Sequence, residues 1–313
     1  MKRLILVYNP RSSRFFEVEK KVIEEARKLK GWMVCKFEVR RVSVRENAKE
    51  LAKIIRKDDL VVSAGGDGTA SVVVNAIMES GKRATMAEMG FGNFNDYEGT
   101  FGKMSLKRIV KKFSEGRFED FYPIEVKVDG EHFLYAGMYF TIGMLAESVG
   151  VFEKEKVRKK LVKAKNRLSY SASRLFFWYL RNKRRKDFLL GMTIDKKDMG
   201  NVVKITTEEG TTDYIALNGE SLAGVVEAEG WTRERKSFWS GEMKNRSIIR
   251  MMKAFIKSET DGELPGQRTE GDLIKFSEPS RVFLHIEGER VFREKVFEIQ
   301  VEKTGEGFRV IRE

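Results

Sequence analysis

Strand-like and helix-like patterns alternate over the first part of the chain, up to about Asp120. Short apolar runs at residues 4–8, 60–62 and 85–89 predict strands. Apolar residues recur at helical spacing between and after these runs. That spacing predicts helices over residues 17–30, 44–56, 70–80 and 106–114. Alternation of this kind is typical of an α/β domain built on a parallel sheet.

Strand-like runs dominate the second part of the chain, and they predict a β-rich domain that begins near residues 121–123. We expect residues 296–302 and 308–311 to pair as a hairpin across the turn at 304–307. A further amphipathic helix is predicted at residues 247–257. The other predicted strands cover residues 124–128, 133–142, 191–194, 202–207, 214–217, 225–229 and 282–286.

A glycine-rich loop, Gly65-Gly66-Asp67-Gly68-Thr69, lies between the strand at 60–62 and the helix at 70–80. Glycines let backbone N–H groups approach an oxyanion closely, and the positive end of the helix dipole points at the same place. The loop therefore predicts a phosphate site, in which Asp67 holds a magnesium ion or a catalytic proton. The alternative is a tight strand-to-helix turn that Asp67 or Thr69 caps.

Two more polar loops follow predicted strands. Gly92, Asn93, Asn95 and Asp96 come after the strand at 85–89, and Asn9 opens a loop after the first strand. In open α/β sheets, ligands bind at the carboxyl ends of the strands. We therefore expect the three loops to line one crevice.

The order of these motifs, followed late in the chain by Asp261-Gly262-Glu263, resembles the diacylglycerol kinase catalytic family. That family includes bacterial lipid kinases and sphingosine kinases and is related to the NAD kinases. The resemblance implies a Rossmann-like α/β nucleotide-binding domain of the NAD kinase and diacylglycerol kinase type over residues 1–121, completed by residues 290–313. It also implies a β-rich, β-sandwich-like acceptor-binding domain over residues 122–289.

The resemblance further implies a phosphotransferase that uses ATP and Mg²⁺ and has an alcohol group of a lipid, such as diacylglycerol, as acceptor. Asp261 is the expected base, Glu263 its helper, and Asp67 a third catalytic residue. The alternative interpretation of Asp261 and Glu263 is a turn before Leu264. The nucleotide-binding residues expected from the motifs are Asn9, Gly65, Gly66, Asp67, Gly68, Thr69, Gly92, Asn93, Asn95 and Asp96, and the expected metal ligands are Asp67, Asp96 and Glu125.

The chain departs from the family pattern at several positions. Gly90 stands for a proline, Asn93 for a threonine and Ser13 for a glycine. Residues 229–233 lack the second acid of a structural magnesium site, so we predict none there. Two alternatives therefore stay open: an NAD kinase-like enzyme with a soluble acceptor, and an inactive homologue that binds membranes or nucleotides.

The net charge of +13 is concentrated between residues 151 and 186, where 14 Lys or Arg accompany two acids. This segment has the pattern of a basic amphipathic helix with aromatic residues, which suits an anionic membrane surface. The alternative is a helix packed on its own domain with a solvated basic face. No base-reading module is visible, so no nucleic-acid partner is expected. A homodimer stays open.

The scarcity of cysteine and histidine restricts both the chemistry and the compartment. The single cysteine, Cys35, excludes an internal disulfide, is expected to be buried, and indicates a reducing compartment. His132 and His285 lie in strand-like runs and lack the spacing of zinc ligands. We therefore predict a cytoplasmic protein that associates peripherally with the membrane.

Overall fold

Two compact units make up the chain. The first comprises Met1–Pro123, Tyr135–Gly137 and Thr304–Glu313, and the second comprises Ile124–Leu134 and Met138–Lys303. The computed structural model describes residues 1–12, 14–92, 95–153, 157, 160, 174, 192–198, 201–207, 211–219, 221–222, 226–227, 235–244 and 266–313.

The first unit is built on a six-stranded sheet. Its strands are β1 (Lys2–Tyr8), β2 (Trp32–Glu38), β3 (Leu60–Gly65), β4 (Thr85–Gly90), β5 (Glu119–Phe121) and β18 (Phe308–Val310). They lie in the order β2-β1-β3-β4-β18-β5. Neighbours are parallel from β2 to β18, and β18 pairs with β5 antiparallel. The carboxyl ends of β1, β3 and β4 therefore meet at one edge of the sheet.

Helices accompany this sheet. A continuous helical stretch consists of α1 (Phe15–Glu17), a π-helical segment (Val18–Ile23) and α2 (Glu24–Arg27). The other helices are α3 (Val44–Ile54), α4 (Asp67–Ser80), α5 (Asp96–Phe101) and α6 (Leu106–Ser114). Buried apolar residues of β1, β3 and β4 pack against the π-helical segment and α6. β3 and β4 are buried along their whole length, as expected for parallel strands that helices cover.

The second unit is an antiparallel sheet whose strands β15-β14-β11-β8-β16-β17-β6-β7 lie in that order, with β9 paired to β16 and β10 to β9. The ladder between β16 and β17 changes register between Lys275 and Ser280. The strands are β6 (Ile124–Val128), β7 (Glu131–Ala136), β8 (Tyr139–Gly143), β9 (Thr193–Asp198), β10 (Asn201–Thr206), β11 (Thr211–Leu217), β14 (Phe238–Lys244), β15 (Gln267–Thr269), β16 (Gly271–Ile286) and β17 (Glu289–Lys303). Smaller elements are β12 (Ser221–Leu222), β13 (Val226–Glu227), α7 (Met144–Ser148) and α8 (Gly150–Glu153).

A buried polar network lies among these strands. Lys196 Nζ donates to Ser240 Oγ at 2.6 Å and lies 3.5 Å from Asp272 Oδ2. Tyr214 and Thr269 donate their hydroxyls to Asp272 at 2.8 Å each. Burial, together with the negative charge of Asp272, raises the pKa of Tyr214 well above its usual value. Each member is hydrogen-bonded, as buried polar groups require.

The predicted fold class, an α/β amino-terminal domain followed by a β-rich domain, is confirmed. The predicted hairpin between 296–302 and 308–311 is wrong. β17 already pairs with β16 on one edge and with β6 on the other, so it offers no free edge to β18. β18 pairs instead with β4 and β5.

Two smaller predictions are also wrong. Residues 133–142 form two strands because the chain breaks at Gly137, and the carboxylate of Glu287 accepts hydrogen bonds from the N–H groups of Met138 and Tyr139. Cys35 is half-buried, since β2 is an edge strand of its sheet. The predicted helix at 247–257 lies outside the described residues, as does most of the basic segment at 151–186. Within the described part of the chain, no helix is long and apolar enough to cross a membrane.

Candidate active site

The two glycine loops of the first unit are in backbone contact. A Cβ atom on Gly66 would lie 2.9 Å from the Cα of Gly92, and one on Gly92 would lie 2.5 Å from the Cα of Gly66. The N–H of Phe91 donates to the carbonyl of Gly65, next to the point where Gly65 and Gly90 pair at the ends of β3 and β4. Approach this close leaves no room for side chains, so both positions require glycine.

The glycine loop at residues 65–69 leads directly into α4, which has 14 residues and starts at Asp67. Gly66 is the N-cap and has no side chain to cap the helix. The N–H groups of Thr69 and Ala70 donate to the carbonyl of Gly66, at 2.7 and 3.2 Å. Gly65 and Thr69 are buried, while Gly66, Asp67 and Gly68 are half-buried. The amino terminus of α4, with its positive dipole end, thus adjoins both glycine loops, an arrangement that can bind an anion.

The carboxylate of Asp67 faces the start of α5. Asp67 Oδ2 accepts a hydrogen bond from the N–H of Asn95 at 3.1 Å, and Oδ1 accepts one from the N–H of Tyr97 at 3.4 Å. Asn95 adopts a left-handed backbone conformation with φ 58°, which turns the chain into the helix. Asp96 lies between these two donors and is buried. The structure therefore brings the predicted residues Asp67, Asn95 and Asp96 together.

Two acidic side chains of this region have raised pKa values. Burial raises the pKa of Asp67 to about 6, although the backbone N–H groups of residues 95–97 oppose this effect. Glu88, on β4, is 1% exposed. Burial raises the pKa of Glu88 well above its usual value, and the negative charges of Asp67 and Glu98 act in the same direction. Burial thus disfavours the ionised form of both carboxyl groups, and a bound cation would favour that form again.

The loop after β1 reaches the same strand ends. Asn9 Oδ1 accepts a hydrogen bond from the N–H of Arg11 at 2.9 Å, and the carbonyl of Asn9 accepts one from Ser12. Arg14 Nη2 donates to the carbonyl of Gly90 at 2.5 Å. The loop after β1 is therefore connected to the end of β4.

Other predicted site residues lie elsewhere or outside the described chain. Glu125 lies on β6 of the second unit, where its carboxylate is 3.0 Å from His132 Nδ1 and 3.4 Å from Lys127 Nζ. Among the described residues, no three His, Cys, Asp or Glu side chains are grouped so as to hold a metal ion. Asn93, Asp261 and Glu263 lie outside the described residues.

Three residues of this region were not predicted from the sequence: Arg14, Glu88 and Glu98. For Glu88 a signal existed, because it is a charged residue within an otherwise apolar strand. For Arg14 and Glu98 the sequence offers no local signal, since their partner Gly90 is distant in the chain from Arg14 and contributes only backbone atoms.

The chain is similar to known diacylglycerol kinases. Residues 3–122 match the model of the diacylglycerol kinase catalytic domain. A diacylglycerol kinase of Bacillus subtilis (strain 168) is 28% identical over 137 residues, which cover 43% of this chain and 44% of the relative. The match thus spans less than half of that protein.

Solved structures extend the similarity in fold to the full length of the chain. A crystal structure of a diacylglycerol kinase from Bacillus anthracis strain Sterne covers 100% of this chain and 97% of its own, with a TM-score of 0.65 and 17% identity. A second structure from the same organism has a TM-score of 0.66 and 18% identity. The resemblance inferred from the motifs is confirmed.

Proposed function

Because residues 3–122 match the diacylglycerol kinase catalytic domain, we propose that this protein is a lipid kinase that transfers the γ-phosphate of ATP to a lipid hydroxyl. The observation that carries the proposal is the contact between the two glycine loops, Gly66 against Gly92, beside the carboxylate of Asp67. Phosphoryl transfer requires mainly positioning and charge neutralisation, and this arrangement supplies the groups for both.

In the proposed complex, the phosphates of ATP lie over the amino terminus of α4. Backbone N–H groups of the two glycine loops, together with Asn9 and Thr69, bind the nucleotide. Anions bind favourably at such a terminus because its N–H groups and the helix dipole act together. Asn93 completes the second loop in this proposal.

Magnesium fits the donor set of this region. Asp67 and Asp96 offer carboxylate oxygens, and Mg²⁺ in kinase sites is usually held by one or two carboxylates together with phosphates and water. We assign these two residues as ligands, whereas the role of Glu125 stays a prediction, since its carboxylate contacts His132 and Lys127. The bound ion would neutralise charge on the phosphates.

The acceptor hydroxyl must lose a proton during transfer. Asp261 is proposed as the base, with Glu263 assisting it, from their place in the motif order. Asp67 contributes through the nucleotide and its metal ion. A lipid acceptor also places the enzyme at a membrane surface, and the basic segment at 151–186 suits anionic lipids on the cytoplasmic side.

The test is transfer of labelled γ-phosphate from ATP to a total lipid extract in anionic vesicles with Mg²⁺. We expect label in a lipid product with the wild type and with Asp120→Ala, an exposed aspartate of the same unit. We expect at least about a hundredfold less with Asp67→Ala, since positioning contributes several orders of magnitude to such rates. Asp261→Asn should lose turnover while retaining ATP binding.

The control outcomes separate the alternatives. ATP binding without lipid label would contradict the lipid acceptor and favour a soluble one or an inactive homologue. Equal labelling by the wild type and Asp67→Ala would contradict the assigned role of Asp67. Loss of ATP binding by Asp261→Asn would contradict its role as a base.

A further inference from the structure

Gly90 lies at the end of β4, and both its N–H and its carbonyl form hydrogen bonds with side chains. Its N–H donates to Glu98 Oε1, on α5, at 3.1 Å. Its carbonyl accepts from Arg14 Nη2, in the loop after β1, at 2.5 Å. A single backbone position thus joins the loop after β1, the second glycine loop and α5.

A side chain at this position would displace its neighbours. A Cβ on Gly90 would lie 2.8 Å from Asn95 Cγ and 2.8 Å from Glu98 Cδ. Distances below 3 Å require the neighbours to move, and both neighbours belong to the segment that faces Asp67. A proline would cause the same clash and would also remove the N–H that donates a hydrogen bond to Glu98.

Further contacts hold the same segment. Gly92 N–H donates to Asn95 Oδ1 at 2.7 Å. The guanidinium of Arg14 lies over the ring of Phe91, 5.5 Å from its centroid, and 3.8 Å from Glu17. Gly90 and Gly92 are therefore tied by side-chain contacts to Glu98 and Asn95.

From these contacts we propose that Arg14 and Glu98 are positioning residues that act through Gly90 to hold the second glycine loop in its nucleotide-binding conformation. We define these three residues as the Gly90 brace. The proposal rests on the proposed function insofar as the ligand is ATP. Its physical content is that Gly90, Gly92 and the N–H groups that donate to Asp67 are held in place before ATP binds, which lowers the entropic cost of binding.

The charge of Glu98 makes the proposal sharply testable. Glu98 lies near an anion-binding loop, so by charge alone its removal should strengthen ATP binding. The Gly90 brace predicts the opposite for Glu98→Leu, because that side chain cannot accept the hydrogen bond of Gly90. Glu98→Gln removes the charge but keeps an acceptor oxygen, so it should retain wild-type affinity or exceed it.

The experiment measures the dissociation constant of Mg²⁺–ATP by titration calorimetry on the full chain. We expect Glu98→Leu and Arg14→Met each to weaken binding by about tenfold, since the loss of a partly buried hydrogen bond to a charged group has an effect of this size. Because both act on one residue, the double variant should weaken binding by clearly less than the product of the two factors. Glu50→Leu, which places the same apolar side chain at an exposed position of α3, is the control and should match the wild type.

A second measurement separates failure of the brace from failure of the proposed function. Amide hydrogen exchange without ATP should be about tenfold faster at Gly90, Gly92 and Asn95 in Glu98→Leu, and unchanged in Glu98→Gln. If the wild type binds no ATP, the proposed function fails and the exchange rates alone decide on the brace. Unchanged exchange in Glu98→Leu, or tighter ATP binding by that variant, would overturn the Gly90 brace.

Discussion

Single buried groups in this protein have properties that their surroundings determine. His285, on β16, accepts a hydrogen bond from the N–H of Gly288 through Nε2 at 3.1 Å, and its ring lies 5.4 Å from that of Tyr139. Burial lowers the pKa of His285 to about 3, and the positive charge of Arg290 acts in the same direction. The imidazole is therefore neutral in the folded protein at every pH at which a free histidine titrates.

A pH dependence of stability follows. The pKa of His285 is about 3 in the folded protein and near 6.5 in the unfolded chain. The contribution of the neutral imidazole to the free energy of unfolding is therefore complete above pH 6.5 and is lost as the pH falls toward 3. Lowering the pH from 7 to 5 should reduce the free energy of unfolding by about 2 kcal/mol. His285→Gln, which keeps an acceptor, should abolish that loss in urea unfolding at the two pH values. An NMR titration of the His285 ring with a midpoint near its ordinary value would contradict the prediction.

At the scale of elements, the strand ends and helix starts of the first unit are held by direct backbone contact. Gly66 is the N-cap of α4 and Gly92 precedes α5, and each occupies the space that a Cβ on the other would need. α5 itself was not predicted, because it has only six residues and its start depends on the left-handed turn at Asn95. Local periodicity is too short there to indicate a helix.

This contact predicts different effects for two alanine substitutions close in the chain. Gly92→Ala should separate the two loops and weaken ATP binding by about tenfold or more, because misplacement of a positioning segment has effects of that size. Gly99→Ala, on α5, meets nothing within 4 Å and should be neutral or slightly stabilising in a helix. ATP titration and thermal unfolding of both variants are the measurements. Equal ATP affinity for the two variants would contradict the assigned role of the contact.

At the scale of the whole molecule, the chain returns to the first unit at its carboxy-terminal end. β18 lies between β4 and β5, and its Phe308 and Val310 are buried. The ring of Phe308 lies 5.4 Å from that of Phe121, on β5. The first unit therefore depends on residues that are among the last of the chain.

Phe308→Ala should accordingly destabilise the first unit by about 3–5 kcal/mol, the usual cost of deleting a buried aromatic side chain. Glu313→Gln, which breaks only the exposed ion pair with Arg108, should change stability by less than about 1 kcal/mol. Urea unfolding of each variant measures the difference. A loss below about 1 kcal/mol for Phe308→Ala would show that β18 is not needed for the stability of the sheet.

Local patterns in the sequence determined the α/β alternation, the β-rich second part and the positions of the glycine loops. Helical and strand periodicities are patterns of neighbouring residues and can be read from the sequence. Where two backbones lie too close for a Cβ atom, glycine is required, so the glycines themselves mark the loops. The roles of Asp261, Glu263 and Glu125 stay predictions, since they derive from motif order.

Only the tertiary structure decided which strands pair with β18, which side chains hold Gly90, and which carboxyl groups have raised pKa values. Strand pairing depends on which edges remain free after the other strands have paired, as the wrong hairpin prediction shows. The contact of Arg14 with Gly90 joins segments 76 positions apart in the sequence, and that of Glu98 depends on the turn at Asn95. The pKa values of Asp67 and Glu88 follow from burial and neighbouring charges, and burial is a property of the folded chain as a whole.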